Sequence, residues 1–137
     1  NMTIEALMKI AVNARRNAVT PITGYKVGAA LLTQNGSVYM GVNVEDREIP
    51  SLSNCAERVA IQNALTHGER EFDTIVVVGG KEASSTLEIL SPCGACLQYM
   101  AYFSPDLKVA CQVEGKITTK PVLSFLSVPY HLQEETK

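Results

Sequence analysis

The chain has 137 residues, which is enough to bury a hydrophobic core, and we expect a single domain over residues 1–137. Its net charge of -2 leaves no basic excess for a large nucleic-acid-binding surface, so neither a nucleic acid nor a membrane is an expected partner. The sequence contains no bilayer-spanning apolar stretch and no secretory leader pattern, which predicts a cytoplasmic protein.

The first third of the chain predicts a helix followed by a hairpin. Residues 2–19 repeat apolar side chains at helical spacing, with arginine and asparagine on the opposite face. Residues 27–33 and 38–44 predict two strands. Asn35 and Gly36 lie between them, and this pair is the strongest short signal for a hairpin turn.

The middle of the chain alternates helices with a buried strand. Residues 45–54 are polar and predict a loop, and residues 55–66 predict a helix. Residues 72–79 contain an unbroken β-branched run, which is typical of a strand covered on both faces. A polar loop is predicted over 81–88, and a second short helix over 91–102.

The last third predicts two strands and a final helix. The strands are expected over 107–113 and 117–119, and the helix over 121–126. The predicted order is therefore α-β-β-α-β-α-β-β-α. Helices alternating with strands imply a sheet covered on both sides, so the fold class is α/β: a three-layer α/β/α sandwich with a mixed sheet.

Two cysteine motifs carry the chemistry of the sequence. Residues 55–57 are Cys-Ala-Glu, and residues 92–96 are Pro-Cys-Gly-Ala-Cys. Three thiolate ligands leave the fourth position of a tetrahedral zinc ion open to water, which separates a catalytic site from a closed structural one. Both motifs lie at predicted helix starts, where backbone amides stabilise a thiolate. The sequence therefore predicts one zinc ion per chain, held by Cys55, Cys93 and Cys96.

Two residues beside the first ligand have expected roles. Glu57 lies near the metal without obviously binding it, and we expect it to carry a proton between water and substrate. Arg58 lies one turn after Cys55 and is placed to donate hydrogen bonds to thiolate sulfur, which offsets the negative charge of the site. The plainer alternatives are a helix N-terminal glutamate and an exposed arginine.

Other interpretations of the cysteines remain open from the residues alone. Cys93 and Cys96 at a helix start could form a redox dithiol, and Cys111 could complete a four-cysteine structural zinc site. Both interpretations leave Glu57 without a role. A catalytically silent fold that uses zinc only for stability is a third alternative.

The residues at 25–31, 41–45, 55–58 and 91–98 resemble those of the cytidine deaminases of the small, homotetrameric, zinc-dependent type. The likeness spans nearly the whole chain. It implies a five-stranded cytidine deaminase-like sheet, a zinc cofactor and Glu57 as the proton carrier. The implied reaction is hydrolytic deamination of cytidine or deoxycytidine to uridine or deoxyuridine plus ammonia, in pyrimidine salvage.

The same resemblance implies the substrate contacts. Asn43 and Glu45 correspond to the pair that binds the ribose 3′-hydroxyl. The backbone around Ala56, with the Glu57 carboxylate, would contact the pyrimidine edge, and the Ser91 carbonyl region would face the departing amine. In the family, neighbouring subunits of the tetramer complete each active site with loops and a C-terminal aromatic residue.

Three departures from the family bear on specificity. Tyr25 and Tyr130 stand where phenylalanine is usual, and both retain a ring for packing on base or sugar. Leu97 replaces the usual arginine after the last ligand. Blasticidin S deaminases share the zinc motifs and favour tyrosine at both ring positions, so they are the alternative. Glu45 argues against them, because they generally lack that acidic residue.

Overall fold

A computed structural model describes residues 2–81 and 87–132 of the chain. The α-helices within these ranges are α1 (Ile4–Arg15), α2 (Ala56–Thr66) and α3 (Gly94–Phe103). The strands are β1 (Tyr25–Thr33), β2 (Val38–Val42), β3 (Phe72–Lys81), β4 (Glu88–Ile89), β5 (Lys108–Val113) and β6 (Lys116–Pro121). None of the helices in this part of the chain has the length and apolar character needed to cross a membrane.

The strands form one mixed sheet in the order β2-β1-β3-β5-β6. β1 is antiparallel to β2 and β3, whereas β3 and β5 are parallel. The short β4 pairs with Val78 and Gly79 of β3, beyond the point where β5 leaves that edge. The central position of β3 agrees with its continuous apolar sequence, because both of its faces are covered.

Alternate residues of the central strands face two separate cores. Ala29 and Val77 belong to the core beneath α2 and α3, whereas their neighbours Ala30 and Val76 belong to the core beneath α1. Successive side chains of a strand point to opposite faces, so this division is the expected period of two. The three-layer α/β/α prediction is confirmed, with one helix on one face and two on the other.

Two glycines allow the helices to approach the sheet closely. A Cβ atom on Gly28 would lie less than 3.0 Å from the backbone of Ala11 and Arg15 in α1. A Cβ atom on Gly41 would lie equally close to the backbone of Ala56 and Ala60 in α2. Because backbone cannot move aside as a flexible side chain can, glycine at 41 sets the distance between α2 and the sheet.

Two details differ from the sequence prediction. The sheet has a sixth strand, β4, at the end of the predicted loop over 81–88, and residues 82–86 of that loop lie outside the described ranges. The predicted helix over 121–126 is wrong: Val122–Ser124 make a single 3₁₀ turn. Pro121 is extended at the end of the edge strand β6. Its nitrogen, which carries no hydrogen, faces away from β5, so the sheet loses no hydrogen bond there. The expectation of one domain remains a prediction.

Candidate active site

The two cysteine motifs meet where α2 and α3 begin. Cys55 is the residue that precedes α2, Cys93 precedes α3, and Cys96 lies within the first turn of α3. The three sulfur atoms all lie within 4.8 Å of one another. Both expected helix starts are therefore present, and both direct their unpaired backbone N–H groups toward this end of the molecule.

The segment after β2 returns to the start of α2 through paired backbone hydrogen bonds. The Val44 N–H donates to the Asn54 carbonyl at 3.0 Å, and the Asn54 N–H donates to the Val44 carbonyl at 2.8 Å. The Glu45 N–H donates to the Val19 carbonyl at 2.8 Å. These bonds bring Glu45 beside Cys55, although the two residues are ten positions apart in sequence.

The thiols open into a cavity of about 350 Å³, which is large enough for a small organic ligand. The residues that line it come from β1, from the segment after β2, from the start of α2 and from the segment before α3. They are Val27, Asn43, Glu45, Ser53, Asn54, Cys55, Ala56, Glu57, Arg58, Leu90, Ser91 and Cys93. Cys96 is fully buried behind this wall.

Hydrogen bonds make Cys55 the preferred thiolate of the cluster. The Cys96 thiol donates to it, and this bond, with the Arg58 guanidinium acting in the same direction against burial, lowers the pKa of Cys55 to about 5. The pKa of Cys96 is raised, first because it is the donor in that bond and then because it is buried. The Arg58 Nη2 atom lies 3.2 Å from the Cys55 sulfur, as the sequence predicted.

Glu57 is a buried carboxyl group that lines the cavity. Its exposed fraction is 6%, and burial is the main cause that raises its pKa above the ordinary value for glutamate. The negative charge on Cys55 acts in the same direction, while hydrogen bonds to its own backbone and to Cys96 oppose it. A carboxyl group tuned in this way is suited to accept and return a proton near neutral pH.

Asn43 and Glu45 lie side by side on the same cavity wall, and both side chains are held in place. The Asn43 Oδ1 atom accepts from the Val27 N–H at 2.8 Å, and its Nδ2 atom donates to the Tyr25 carbonyl at 2.9 Å. A carboxamide has two N–H donors, so within the described ranges one N–H of Asn43 stays available for a ligand. The Glu45 carboxylate accepts hydrogen bonds from Ile22 and Thr23.

The two aromatic candidates do not line the cavity within one chain. The Tyr25 ring packs over Gly79 together with Leu90, and Leu90 in turn lines the cavity. Tyr130 lies on the outer side of α3 and is 70% exposed. Its backbone N–H and carbonyl both pair with the side-chain amide of Gln98, each at 2.8 Å.

Cys111, the possible fourth ligand, lies outside the thiol cluster. It is a buried residue of β5 opposite Thr118 of the edge strand. All four cysteines are free thiols rather than disulfides. Cys111 therefore behaves as a small core residue, and the four-cysteine interpretation lacks its fourth sulfur.

The donor set fits a zinc ion. Tetrahedral zinc with Zn–S bonds of about 2.3 Å holds its sulfur ligands about 3.8 Å apart, and the three sulfurs of the cluster already lie within 4.8 Å of one another. The buried Arg58 Nε atom has no hydrogen-bond partner among the described residues. Arg58 therefore keeps an unused N–H donor beside a site that is anionic when the cysteines are thiolates. The metal-binding group contains three sulfurs and no fourth protein ligand within the described ranges, which leaves one position for water.

Comparison with known proteins decides the family. The family model of the cytidine and deoxycytidylate deaminase zinc-binding region matches residues 2–112. The chain belongs to this family. Zinc is accordingly its cofactor, and the chain is a hydrolase that acts on carbon–nitrogen bonds in cyclic amidines.

Individual relatives support the same assignment. The chain is 42% identical to a cytidine deaminase of Halalkalibacterium halodurans over 106 residues, which are 77% of this chain and 76% of the relative. It is 31% identical to a blasticidin-S deaminase of Bacillus cereus over 109 residues, 77% of each protein. The crystal structure of a cytidine deaminase from Burkholderia pseudomallei has a TM-score of 0.81 and 38% identity, covering 94% of this chain and 100% of that one.

Sequence reasoning missed several residues of this deaminase-family cavity. Ser53, Asn54 and Leu90 line it without belonging to a recognised motif. Thr23 contacts Glu45 from a loop that carries no chemical signature in the sequence. The position of Asn54 directly before Cys55 was the one available signal, since a residue that precedes a metal ligand at a helix start must lie near the site.

Proposed function

We propose that the chain hydrolyses cytidine and deoxycytidine to uridine and deoxyuridine with release of ammonia, as a cytoplasmic enzyme of pyrimidine salvage. The observation that carries the proposal is the buried Glu57 carboxyl beside three converging thiols in one nucleoside-sized cavity. The net charge of -2 supports a small neutral substrate in preference to a nucleic acid.

The proposed ligands of the zinc ion are Cys55, Cys93 and Cys96. When bound, zinc would lower the pKa of a water molecule to near 7 and supply the hydroxide nucleophile. Arg58 donates to the Cys55 sulfur and partly neutralises the thiolate charge, which preserves the Lewis acidity of the metal.

Glu57 is the proposed proton carrier. It takes one proton from the attacking water and delivers it to the ring nitrogen next to the reacting carbon. It then takes the proton of the new hydroxyl group on that carbon and passes it to the departing amine, so that ammonia leaves as the carbonyl group forms. The raised pKa of Glu57 serves both directions of this transfer. The backbone at Ala56 would hold the pyrimidine edge, and the carbonyl region of Ser91 would face the leaving ammonia.

Asn43 and Glu45 are the proposed ribose ligands. The free N–H of Asn43 can donate to the 3′-hydroxyl oxygen, and the Glu45 carboxylate can accept the hydroxyl proton. The sugar is then fixed by one donor and one acceptor, which orients the base toward Glu57.

Tyr130 is proposed to act in a neighbouring subunit of a homotetramer with shared active sites. Its ring is 70% exposed and lies outside the cavity of its own chain. Tyr102 on the outer side of α3 and Leu132, two residues after Tyr130, are also exposed. Exposed apolar side chains in one area support burial of this surface against another copy of the chain. Tyr25 would act from its own chain through Leu90.

Deamination of blasticidin S is the second candidate. The relative from Bacillus cereus and the tyrosines at 25 and 130 favour it, whereas Glu45 favours an unmodified ribose. Parallel assays of cytidine, deoxycytidine and blasticidin S by ultraviolet absorbance separate the two. Turnover of both nucleosides supports the proposal. Turnover of blasticidin S alone would refute it and make the tyrosines the better guide to the substrate.

A further inference from the structure

The Glu45 carboxylate is held by three donors from one loop. Its Oε1 atom accepts from the backbone N–H groups of Ile22 at 2.9 Å and Thr23 at 3.1 Å, and its Oε2 atom accepts from the Thr23 hydroxyl at 2.6 Å. A carboxylate has about four acceptor directions, two on each oxygen. Among the residues that the structure describes, both directions of Oε1 are therefore used, and one direction of Oε2 is left.

The direction of the Thr23 hydroxyl proton follows from its two partners. The Tyr25 N–H donates to the Thr23 Oγ1 atom at 3.0 Å, so that oxygen is already an acceptor. An ionised carboxylate can only accept, and the hydroxyl proton must therefore point at Glu45. The Thr23 hydroxyl is also the largest cause that lowers the pKa of Glu45, so the carboxylate stays charged at neutral pH.

The loop that carries Thr23 is itself anchored from two other segments. The Lys81 Nζ atom donates to the Thr23 carbonyl at 3.0 Å, and the Arg47 guanidinium donates to the Pro21 carbonyl at 2.5 Å. The Glu45 backbone is fixed independently through the Val19 carbonyl. The loop therefore holds Thr23 in place, and Thr23 in turn orients the Glu45 side chain through its two hydrogen bonds.

We propose that Thr23 is a positioning residue for sugar recognition: it orients Glu45 and leaves a single acceptor direction, on Oε2, for a hydroxyl donor in the cavity. The matching ligand chemistry is a nucleoside with a free 3′-hydroxyl. This inference rests on the proposed function, because it requires Glu45 to bind the sugar. Thr23 itself does not line the cavity and acts through Glu45.

The test combines two variants of Thr23 with two substrates. Thr23→Val keeps the shape of the side chain and removes the hydroxyl, whereas Thr23→Ser keeps the hydroxyl. Deoxycytidine carries the 3′-hydroxyl, and 2′,3′-dideoxycytidine lacks it. We expect Thr23→Val to raise KM for deoxycytidine about fivefold to tenfold, the size of one typical intramolecular hydrogen bond. KM for the dideoxy substrate, kcat for both substrates, and the Thr23→Ser enzyme should change less than about twofold.

The dideoxy substrate separates Thr23 acting through Glu45 from a general loss of loop structure. An equal loss of kcat/KM on both substrates would mean that valine acts through Tyr25 or the loop, and no loss on either would mean that Thr23 is dispensable. Both results overturn the inference.

Glu45→Gln is the reference variant for the same two substrates. If it discriminates between them and Thr23→Val does not, the sugar-binding role of Glu45 stands and the Thr23 inference fails. If Glu45→Gln shows no discrimination, the sugar contact is itself wrong and the inference fails with it. If the parent enzyme turns over neither nucleoside, the proposed function is refuted, and the inference that rests on it is refuted too.

Discussion

Replacement of Gly41 by alanine should displace α2 from the sheet and so disturb the active site at its N-terminal end. The added Cβ would lie less than 3.0 Å from three backbone atoms of α2, where ordinary contacts are 3.4–4 Å. We expect α2 to move away from the sheet by roughly 1 Å, because a packed interior has no space to absorb the methyl group. Overpacking of this kind costs about 3 kcal/mol, equivalent to a fall in Tm of about 10 °C for a chain of this size.

The same displacement should reduce turnover, because α2 starts at Cys55 and carries Glu57. A misplacement of about 1 Å can cost about 100-fold in rate. Gly28→Ala is the matched control, since Gly28 lies on the neighbouring strand and its added Cβ would meet the backbone of α1 instead. We expect both variants to lose stability, and Gly41→Ala alone to lose turnover per folded, zinc-loaded molecule.

Thermal unfolding measures the loss of stability. The rate of turnover at about 20 °C, divided by the zinc content of the sample, measures the loss of activity separately. A Gly41→Ala enzyme with parental stability would show that α2 can shift freely on the sheet. Equal losses of turnover in Gly41→Ala and Gly28→Ala would show that the α2 position does not control the site. Either result refutes the reasoning from close helix approach.

Three further predictions concern individual side chains. Glutamine has the same size as glutamate and no charge, so Glu57→Gln should keep the fold and the zinc of this buried site. Its kcat should fall by about 10²- to 10⁴-fold, which corresponds to about 3–5 kcal/mol of barrier. Retained zinc with parental kcat in a steady-state assay would remove Glu57 from the mechanism. Arg58→Ala should reduce zinc affinity or turnover by about 10- to 100-fold, because the Cys55 thiolate loses its cationic hydrogen-bond donor. Competition with a chromophoric chelator measures the zinc affinity. No change in either quantity would leave Arg58 without a role. Cys111→Ala should keep one zinc per chain by elemental analysis, whereas loss of zinc would restore the four-cysteine interpretation.

The features predicted best from sequence are those with a strong local cause. Asn35 and Gly36 predicted the hairpin between β1 and β2, and the β-branched run of residues 75–78 predicted a strand covered on both faces. Cys55 and Cys93 were placed correctly at helix starts, because the residues after them favour helix while the residues before them do not. Local chemistry was sufficient in each of these cases.

The features that sequence could not supply depend on contacts between distant segments. The two-residue strand β4 has too few residues for a pattern and exists only because β3 has a free edge there. Thr23 meets Glu45 across 22 positions, and no spacing rule connects them. The helix predicted to begin at Pro121 is reduced to one 3₁₀ turn over Val122–Ser124, and Pro121 itself still pairs with Lys108 of β5 as the last residue of β6.

The most direct test of the account is the turnover of cytidine as zinc is titrated into metal-free protein. Uridine and ammonia should appear in equal amounts, and the rate should rise linearly to a plateau at one zinc ion per chain. That result would tie the activity to a single metal site formed by the three thiols. Parental protein that binds one zinc ion per chain and releases no ammonia from cytidine would contradict the proposed function, and turnover that is independent of zinc would contradict the proposed chemistry.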